Sequence, residues 1–127
     1  MYLIDANIIV RFLTADHEEH FQKAKEILLK IEAREMEAEI LDGVLAEVYF
    51  VLLKVYGLPK QSIIKDLKTI LSLDGIVGDN KIILFEALSI LERKNIDFVD
   101  ALICAKAKLQ NYDILSFDND LKKCIKQ

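Results

Sequence analysis

Three acidic residues of this sequence stand in apolar surroundings, where an ionised side chain is costly. Asp5 directly follows an apolar N-terminal run, Glu47 lies within the apolar stretch 44–53, and Asp100 lies within the apolar stretch 96–105. Carboxylates are almost never fully buried without a partner, and an uncompensated buried charge costs several kcal/mol. One divalent cation would offset all three charges, so the pattern predicts a metal site.

Further acidic residues lie near these positions or follow another apolar run. Asp97 precedes Asp100 by three residues, so both can face the same side of a helix. Asp118 and Asp120 follow the segment 113–117, three of whose five residues are apolar. Each residue also has a structural interpretation, because Asp97 suits a helix cap, Asp118 and Asp120 suit a turn and an N-cap, and Asp100 could reach back toward the cap at Asp97.

The metal interpretation is favoured at two of the ambiguous positions. Asp100 is flanked by apolar residues on both sides, and little of the helix around Glu47 is polar. Glu47 could still belong to an exposed stripe of that apolar helix. Asp97 and Asp120 are left open between metal ligand and helix cap.

The ligand chemistry of this set points to a hard cation. Carboxylates without histidine or cysteine ligands suit Mg²⁺ or Mn²⁺, which prefer oxygen and retain several waters. His17 and His20 could form a metal pair, although a solvated helix start is favoured because no third ligand lies nearby. Cys104 is expected in the core, and Cys124 is expected to be a bystander near the end of the sequence.

The elements that must position these acids alternate between strand and helix. Short apolar runs predict strands, and apolar residues at helical spacing predict the helices between them. The predicted strands cover residues 2–4, 38–41, 75–78 and 113–117; the predicted helices cover 7–14, 17–33, 43–56, a segment starting at Pro59, 80–93, 97–110 and 119–126.

This alternation predicts an α/β fold with a central parallel sheet of about four to five short strands flanked by helices. We expect a single domain over residues 1–127, because no linker, repeat or low-complexity tract interrupts the chain. Functional groups of open parallel sheets gather beyond the carboxyl ends of the strands. Asp5, Glu47, Asp100 and Asp118 are all expected at that edge.

Composition narrows the class of protein further. The chain has 127 residues with 53% hydrophobic and 30% charged residues, which supports a packed core and excludes a disordered chain. A net charge of −4 argues against a general nucleic-acid coat protein, though not against a nuclease whose metal carries positive charge. No apolar run reaches the roughly 18 residues of a membrane span. We expect a cytoplasmic protein, since the N-terminus lacks a signal-peptide pattern.

Four sequence blocks occur together in an order and spacing that resemble a known family. They cover residues 3–7 with 11–14, 45–48, 97–103 and 115–120. In these blocks the chain resembles PIN-domain ribonucleases, and in particular the toxin subunits of VapBC-type toxin–antitoxin systems. The resemblance extends over essentially the whole chain.

The resemblance implies a metal-dependent endoribonuclease that uses Mg²⁺ or Mn²⁺ and cleaves RNA. It also implies a homodimer inhibited by a cognate antitoxin protein. By the same resemblance, the catalytic and metal-binding acids are Asp5, Glu47, Asp100 and Asp118, with Asn7 and Ser116 as supporting polar residues and Asp97 and Asp120 as acids found in only some members.

Two other functions are compatible with part of this pattern. A non-catalytic PIN-like module that binds RNA or protein is the main alternative, and the presence of all four acids counts against it. A metal phosphatase or a phospho-receiver domain would also place an acid after the first strand. Asp5-Ala6-Asn7 lacks the second Asp of the phosphatase motif, and the acids and late lysine of a receiver are not evident.

Overall fold

The computed structural model describes residues 1–124 of the chain. The chain divides into two compact units, Met1–Lys81 and Ile82–Gln127. Seven α-helices, one π-helical segment and two strands lie within residues 1–124. The predicted C-terminal helix over 119–126 therefore extends in part outside the described residues.

The first unit contains a short parallel sheet. Strand β1 (Tyr2–Leu3) pairs with strand β2 (Ala38–Glu39), with Tyr2 opposite Ala38. The backbone N–H groups of Tyr2 and Ile4 donate to carbonyls on the β2 side, at 3.0 and 3.2 Å. The parallel pairing of the first two predicted strands is confirmed.

The strand predicted over residues 75–78 is reduced to a single bridged residue. Ile76 lies opposite Ala38 in a parallel bridge, where Val77 N–H donates to the Ala38 carbonyl at 2.9 Å. On one side, Gly75 N–H is bonded to the carbonyl of Ile31 at 2.9 Å. On the other side, Gly78 has a φ of +124°, which ends the extended backbone. The pairing is therefore too short to form a strand.

The helices of the first unit follow the predicted positions closely. They are α1 (Ala6–Thr14), α2 (Glu18–Glu32), α3 (Asp42–Phe50), a π-helical continuation (Val51–Val55) and α4 (Lys60–Leu71). Helix α3 begins one residue before the predicted start, with Leu41 as its N-cap, and Pro59 is the N-cap of α4. Their buried faces supply the core of this unit, including Ile9, Leu28, Ile31, Leu45, Leu52, Ile63 and Leu67.

The second unit is helical within its described residues. Helix α5 (Lys81–Arg93) begins at the boundary, and it is followed by α6 (Phe98–Gln110) and α7 (Asn119–Lys123). Apolar side chains spaced along α5 and α6 are buried, among them Leu84, Leu88, Leu91, Ala101 and Ala105. Helix α7 contains no buried residue.

The last predicted strand, over residues 113–117, is not formed in the described part of the chain. Leu115 and Phe117, two of the apolar residues in the predicted strand, are fully exposed and bury nothing. Burial is what offsets the entropy of ordering such a segment. The prediction of four to five strands is therefore wrong for residues 1–124, which contain two strands and one isolated bridge.

A disulfide joins two helices of the second unit. Cys104, in the middle of α6, is bonded to Cys124, which caps the C-terminus of α7. Their relative exposures are 1% and 9%. The core position predicted for Cys104 is confirmed, while the prediction that Cys124 is a bystander is wrong. Its spacing of 20 residues from Cys104 matches no short cysteine motif.

Candidate active site

None of the three acids that define the candidate site is buried. Asp5 and Glu47 are exposed and Asp100 is half-buried, and within residues 1–124 no charged or polar residue is buried. The predicted cost of burying these charges is therefore not incurred, because each acid has access to water. The same access leaves the carboxylates open to a ligand from solution.

Asp5 lies at the junction between β1 and α1, where the backbone turns from extended to helical. Ile4 and Ala6 on either side are buried, which holds the junction in place. The Asp5 carboxylate accepts a hydrogen bond from Ala6 N–H at 2.8 Å and caps the helix. The partial positive charge of a helix N-terminus favours an ionised carboxylate there. Asn7 is exposed in the first turn of the same helix.

Glu47 lies on the exposed side of α3. Leu45, Val48 and Tyr49 turn toward the core, whereas Glu47 is exposed together with Phe50. This exposed stripe is what the structural interpretation of Glu47 predicted. An exposed position is also what a residue needs in order to bind a metal ion from solution. The exposure of Glu47 therefore does not decide between a structural role and a metal-binding role.

Asn80 helps to place the start of α3, and sequence reasoning did not identify it. Its amide Nδ2 donates to the Ile40 carbonyl at 2.9 Å and to the Asp42 carboxylate at 2.7 Å. These bonds fix the first turn of the helix that carries Glu47. The residues are about 40 positions apart in the sequence, so no local pattern links them.

Two helix N-termini in the second unit are capped by candidate acids. Asp97 caps α6 by accepting from the N–H of Asp100 at 2.8 Å. Asp118 caps α7 by accepting from the N–H of Asp120 at 2.9 Å, and Ser116 Oγ accepts from the N–H of Asp118 at 2.9 Å. The cap interpretation of Asp97 is thus confirmed, whereas that of Asp120 is wrong, because Asp118 is the cap of α7 and Asp120 lies in its first turn. Ser116 lies where it orders the backbone of Asp118.

Asp100, Asp97 and Asp118 influence one another electrostatically. Partial burial raises the pKa of the Asp100 carboxyl, and the negative charges of Asp97 and Asp118 raise this pKa further. Each of these causes disfavours the charged form of Asp100. Asp97 and Asp118 therefore lie close enough to Asp100 to act on its charge, and a bound cation would relieve this repulsion.

The described residues do not form a closed metal-ligand set. Within residues 1–124, no three His, Cys, Asp or Glu side chains gather in a group that could hold a metal ion. The carboxylates of Asp97, Asp100 and Asp118 nevertheless have the oxygen chemistry of a Mg²⁺ or Mn²⁺ site. Water and substrate oxygens normally complete the coordination of such ions, so the donor type fits.

The two histidines form a local helix start. His17 Nδ1 accepts from the N–H of His20 at 3.2 Å and caps α2, and the two imidazole rings stack with centroids 4.0 Å apart. This geometry agrees with the favoured interpretation of a solvated helix terminus.

Comparison with protein families identifies the chain's relationship. A family model described as the PIN domain matches residues 2–126. The chain belongs to the PIN domain family. No curated protein matches the sequence.

Membership in the PIN domain family gives the acids a chemical context. PIN domains are generally nucleases, they typically depend on divalent metals, and they act on RNA. The fold of this PIN domain is helical with a small parallel sheet in its described residues. Within residues 1–124 no helix is both long and apolar enough to cross a membrane.

Proposed function

We propose that the chain is a single PIN-like nuclease domain over residues 1–127, and that it is an endoribonuclease dependent on Mg²⁺ or Mn²⁺. It hydrolyses phosphodiester bonds of RNA. Its proposed catalytic and metal-binding acids are Asp5, Glu47, Asp100 and Asp118, supported by the polar residues Asn7 and Ser116, with Asp97 and Asp120 as additional acids.

The observation that carries this proposal is the unfavourable charge at Asp100. Burial and two neighbouring acids all raise the pKa of its carboxyl. The same unit contains cations, since Glu86 pairs with Lys108 at 3.1 Å and with Arg93 at 4.0 Å. The Asp100 carboxylate takes no part in those ion pairs. An acid whose pKa is raised by burial and by neighbouring charges is a candidate functional residue.

The protein's own residues hold the acids in place by backbone capping. Asp97 and Asp118 each use a carboxylate oxygen to cap a helix, which restricts their side-chain rotamers. Ser116 accepts from the Asp118 backbone and fixes the turn before α7. A divalent ion, when bound by these carboxylates, would activate water and offset phosphodiester charge.

The biological setting is proposed from the resemblance to VapBC-type toxins. In this setting the chain is the toxin component of a toxin–antitoxin pair, forms a homodimer, acts in the cytoplasm and is inhibited by a cognate antitoxin protein. The neighbouring reading frame tests this part, because a short gene for a DNA-binding protein is expected beside the toxin gene.

The nuclease proposal is tested with Asp5→Asn. Asparagine still offers an oxygen to cap α1, so folding is retained while the carboxylate charge is removed. We expect the natural protein to cleave total RNA with Mg²⁺ or Mn²⁺, and we expect EDTA or Asp5→Asn to reduce cleavage to background. Asp66→Asn, at an exposed position of α4, is the matched control and should cleave normally. Undiminished cleavage by Asp5→Asn would remove this residue from the site.

A non-catalytic PIN-like module that binds RNA or protein is the second candidate function. The observation in its favour is that no closed group of three metal-ligand side chains forms within residues 1–124. This candidate predicts RNA binding that EDTA leaves unchanged, together with no cleavage of any RNA pool. Metal-dependent cleavage that is lost in Asp5→Asn would exclude it.

A further inference from the structure

The segment that carries Asp118 has little packing of its own. Helix α7 is five residues long and buries none of them. In the stretch before it, Tyr112, Leu115 and Phe117 are exposed. Few buried apolar contacts and short secondary structure are the properties of regions that open locally at low free-energy cost. Some other interaction must hold this segment in place.

The Cys104–Cys124 disulfide supplies that interaction. Asp118 caps the N-terminus of α7, and Cys124 caps its C-terminus and is bonded to Cys104 of α6. Asp100 precedes Cys104 by four residues, so the two lie on the same side of α6. The disulfide therefore attaches α7 to the side of α6 that carries Asp100. The influence of Asp118 on the pKa of Asp100 agrees with this arrangement.

We propose that the Cys104–Cys124 disulfide is a redox-reversible clasp that keeps Asp118 beside Asp100, and that a dithiol reductant opens it. Its consequence for metal-dependent cleavage rests on the proposed function. Disulfides of reducing compartments are usually transient or redox-sensing, whereas those of oxidising compartments persist. The proposed cytoplasmic setting therefore favours a bond that opens and closes.

The reaction is a thiol–disulfide exchange with a protein or small-molecule dithiol. A thiolate of the reductant attacks Sγ of Cys124, the residue with the higher relative exposure, and the bond to Cys104 breaks. Cys104 leaves as a thiolate and takes up a proton. The second thiol of the reductant then releases Cys124, so that two electrons and two protons pass to the protein and the reductant becomes a disulfide.

The first measurement concerns the bond itself. The full chain is equilibrated in buffers of reduced and oxidised dithiothreitol, trapped by alkylation and analysed by intact mass. We expect a native protein whose two thiols appear together as the buffer becomes reducing. A disulfide that persists in the native protein under fully reduced dithiothreitol would overturn the clasp, as would thiols that never oxidise.

The second measurement follows local order by hydrogen exchange. In reduced protein, amides of residues 112–124 are expected to exchange about tenfold faster or more, because local opening becomes easier. Amides of Lys60–Leu71 in α4 serve as the internal reference and should not change. Cys124→Ser should show the fast exchange without reductant and no further response to it. Identical exchange in both redox states would overturn the proposal.

The third measurement links the clasp to the site. In the oxidised protein we expect cleavage at a lower Mg²⁺ concentration than in reduced protein or in Cys124→Ser, with a difference of roughly tenfold. Equal Mg²⁺ dependence in both redox states would overturn the positioning of Asp118. If even the oxidised protein fails to cleave RNA, the proposed nuclease function fails, while the thiol and exchange measurements still decide the clasp.

Discussion

Asp16 and Asp100 are acids in different units of the chain, and their surroundings have opposite effects. The Asp16 carboxylate accepts hydrogen bonds from Tyr56 at 2.8 Å, from Thr14 at 2.9 Å and from Arg11 at 3.1 Å. The Tyr56 hydroxyl, then the Thr14 hydroxyl and the Arg11 guanidinium, lower the pKa of Asp16. The protein's own hydrogen-bond donors thus stabilise the charged form of Asp16.

Asp100 has the reverse arrangement. Partial burial, Asp97 and Asp118 all raise the pKa of its carboxyl. The N–H of Asp100 donates a hydrogen bond to the Asp97 carboxylate, which caps α6. This bond places a second negative charge next to the helical turn that contains Asp100. The protein therefore stabilises the charge of Asp16 but opposes the charge of Asp100.

This contrast separates a structural acid from a candidate ligand. A structural acid is expected to contribute stability and to be dispensable for chemistry. A ligand is expected to cost stability until a cation binds, because its environment is arranged for the bound state. The two acids should therefore respond in opposite ways to substitution, pH and Mg²⁺.

The largest expected effect is on cleavage by Asp100→Asn. Loss of this charge should reduce metal-dependent RNA cleavage by about 1,000-fold, or about 4 kcal/mol of transition-state stabilisation. Initial rates under saturating Mg²⁺ measure the change. Asp16→Ala is the matched comparison and should retain most of its activity. Similar losses in both variants would mean that the contrast between the two acids has no functional meaning.

The next largest expected effect is on stability when the disulfide is removed. Cys104 and Cys124 close a loop with a sequence separation of 20 residues. By the chain-entropy relation, Cys124→Ser should lower the free energy of unfolding by about 3 kcal/mol. Urea unfolding of the oxidised natural protein and of the variant measures the difference.

Reductant provides the control for the disulfide prediction. It should lower the stability of the natural protein by a similar amount and leave Cys124→Ser unchanged. Release of α7 should also weaken the repulsion between Asp118 and Asp100, which reduces the contrast with Asp16. A natural protein equally stable with and without reductant would contradict the prediction.

Local features of the fold could be predicted from the sequence, and long-range pairings could not. Helix boundaries within residues 1–124 agree to within a few residues, because apolar spacing and capping residues act over one or two turns. The caps at Asp97 and Asp118 are of this kind. The absence of a strand at 113–117 is not of this kind, because a short segment with apolar residues does not reveal whether a neighbouring strand pairs with it.

The candidate acids show the same limit. Their sequence surroundings are apolar, yet Glu47 is exposed because the helix turns its apolar neighbours toward the core. The sequence of the apolar stretch around Glu47 does not show which face of the helix is buried. The Cys104–Cys124 bond likewise depends on how α6 and α7 pack, and no short spacing indicates it.

A smaller effect is expected from Asp16→Ala on stability and its pH dependence. The folded-state pKa of Asp16 lies below the ordinary value of 3.8. Its charge therefore contributes stability above about pH 4, and this contribution is lost as pH falls through the folded pKa. Thermal unfolding should show a lower midpoint for the variant at pH 7 and a smaller difference at pH 3. A constant difference at both pH values would assign the effect to packing instead of charge.

The smallest expected effect is a gain in stability from Asp100→Asn without metal. The folded-state pKa of Asp100 lies above 3.8, so folding becomes less favourable as pH rises from that value through the folded pKa. Asparagine does not titrate, and it removes repulsion worth roughly 0.3–0.5 kcal/mol for a like-charge pair within one helical turn. In EDTA, the variant should therefore unfold at a slightly higher temperature than the natural protein at pH 7.

Two conditions separate this gain from a general effect of the substitution. The advantage of Asp100→Asn should disappear near pH 3, where the natural carboxyl is protonated in both folded and unfolded states. Added Mg²⁺ should stabilise the natural protein more than the variant, because an ion that binds only the folded state shifts the equilibrium by mass action. If Asp100→Asn is less stable than the natural protein in EDTA at pH 7, the Asp100 carboxylate stabilises the fold as Asp16 does. The distinction between the two acids would then be lost.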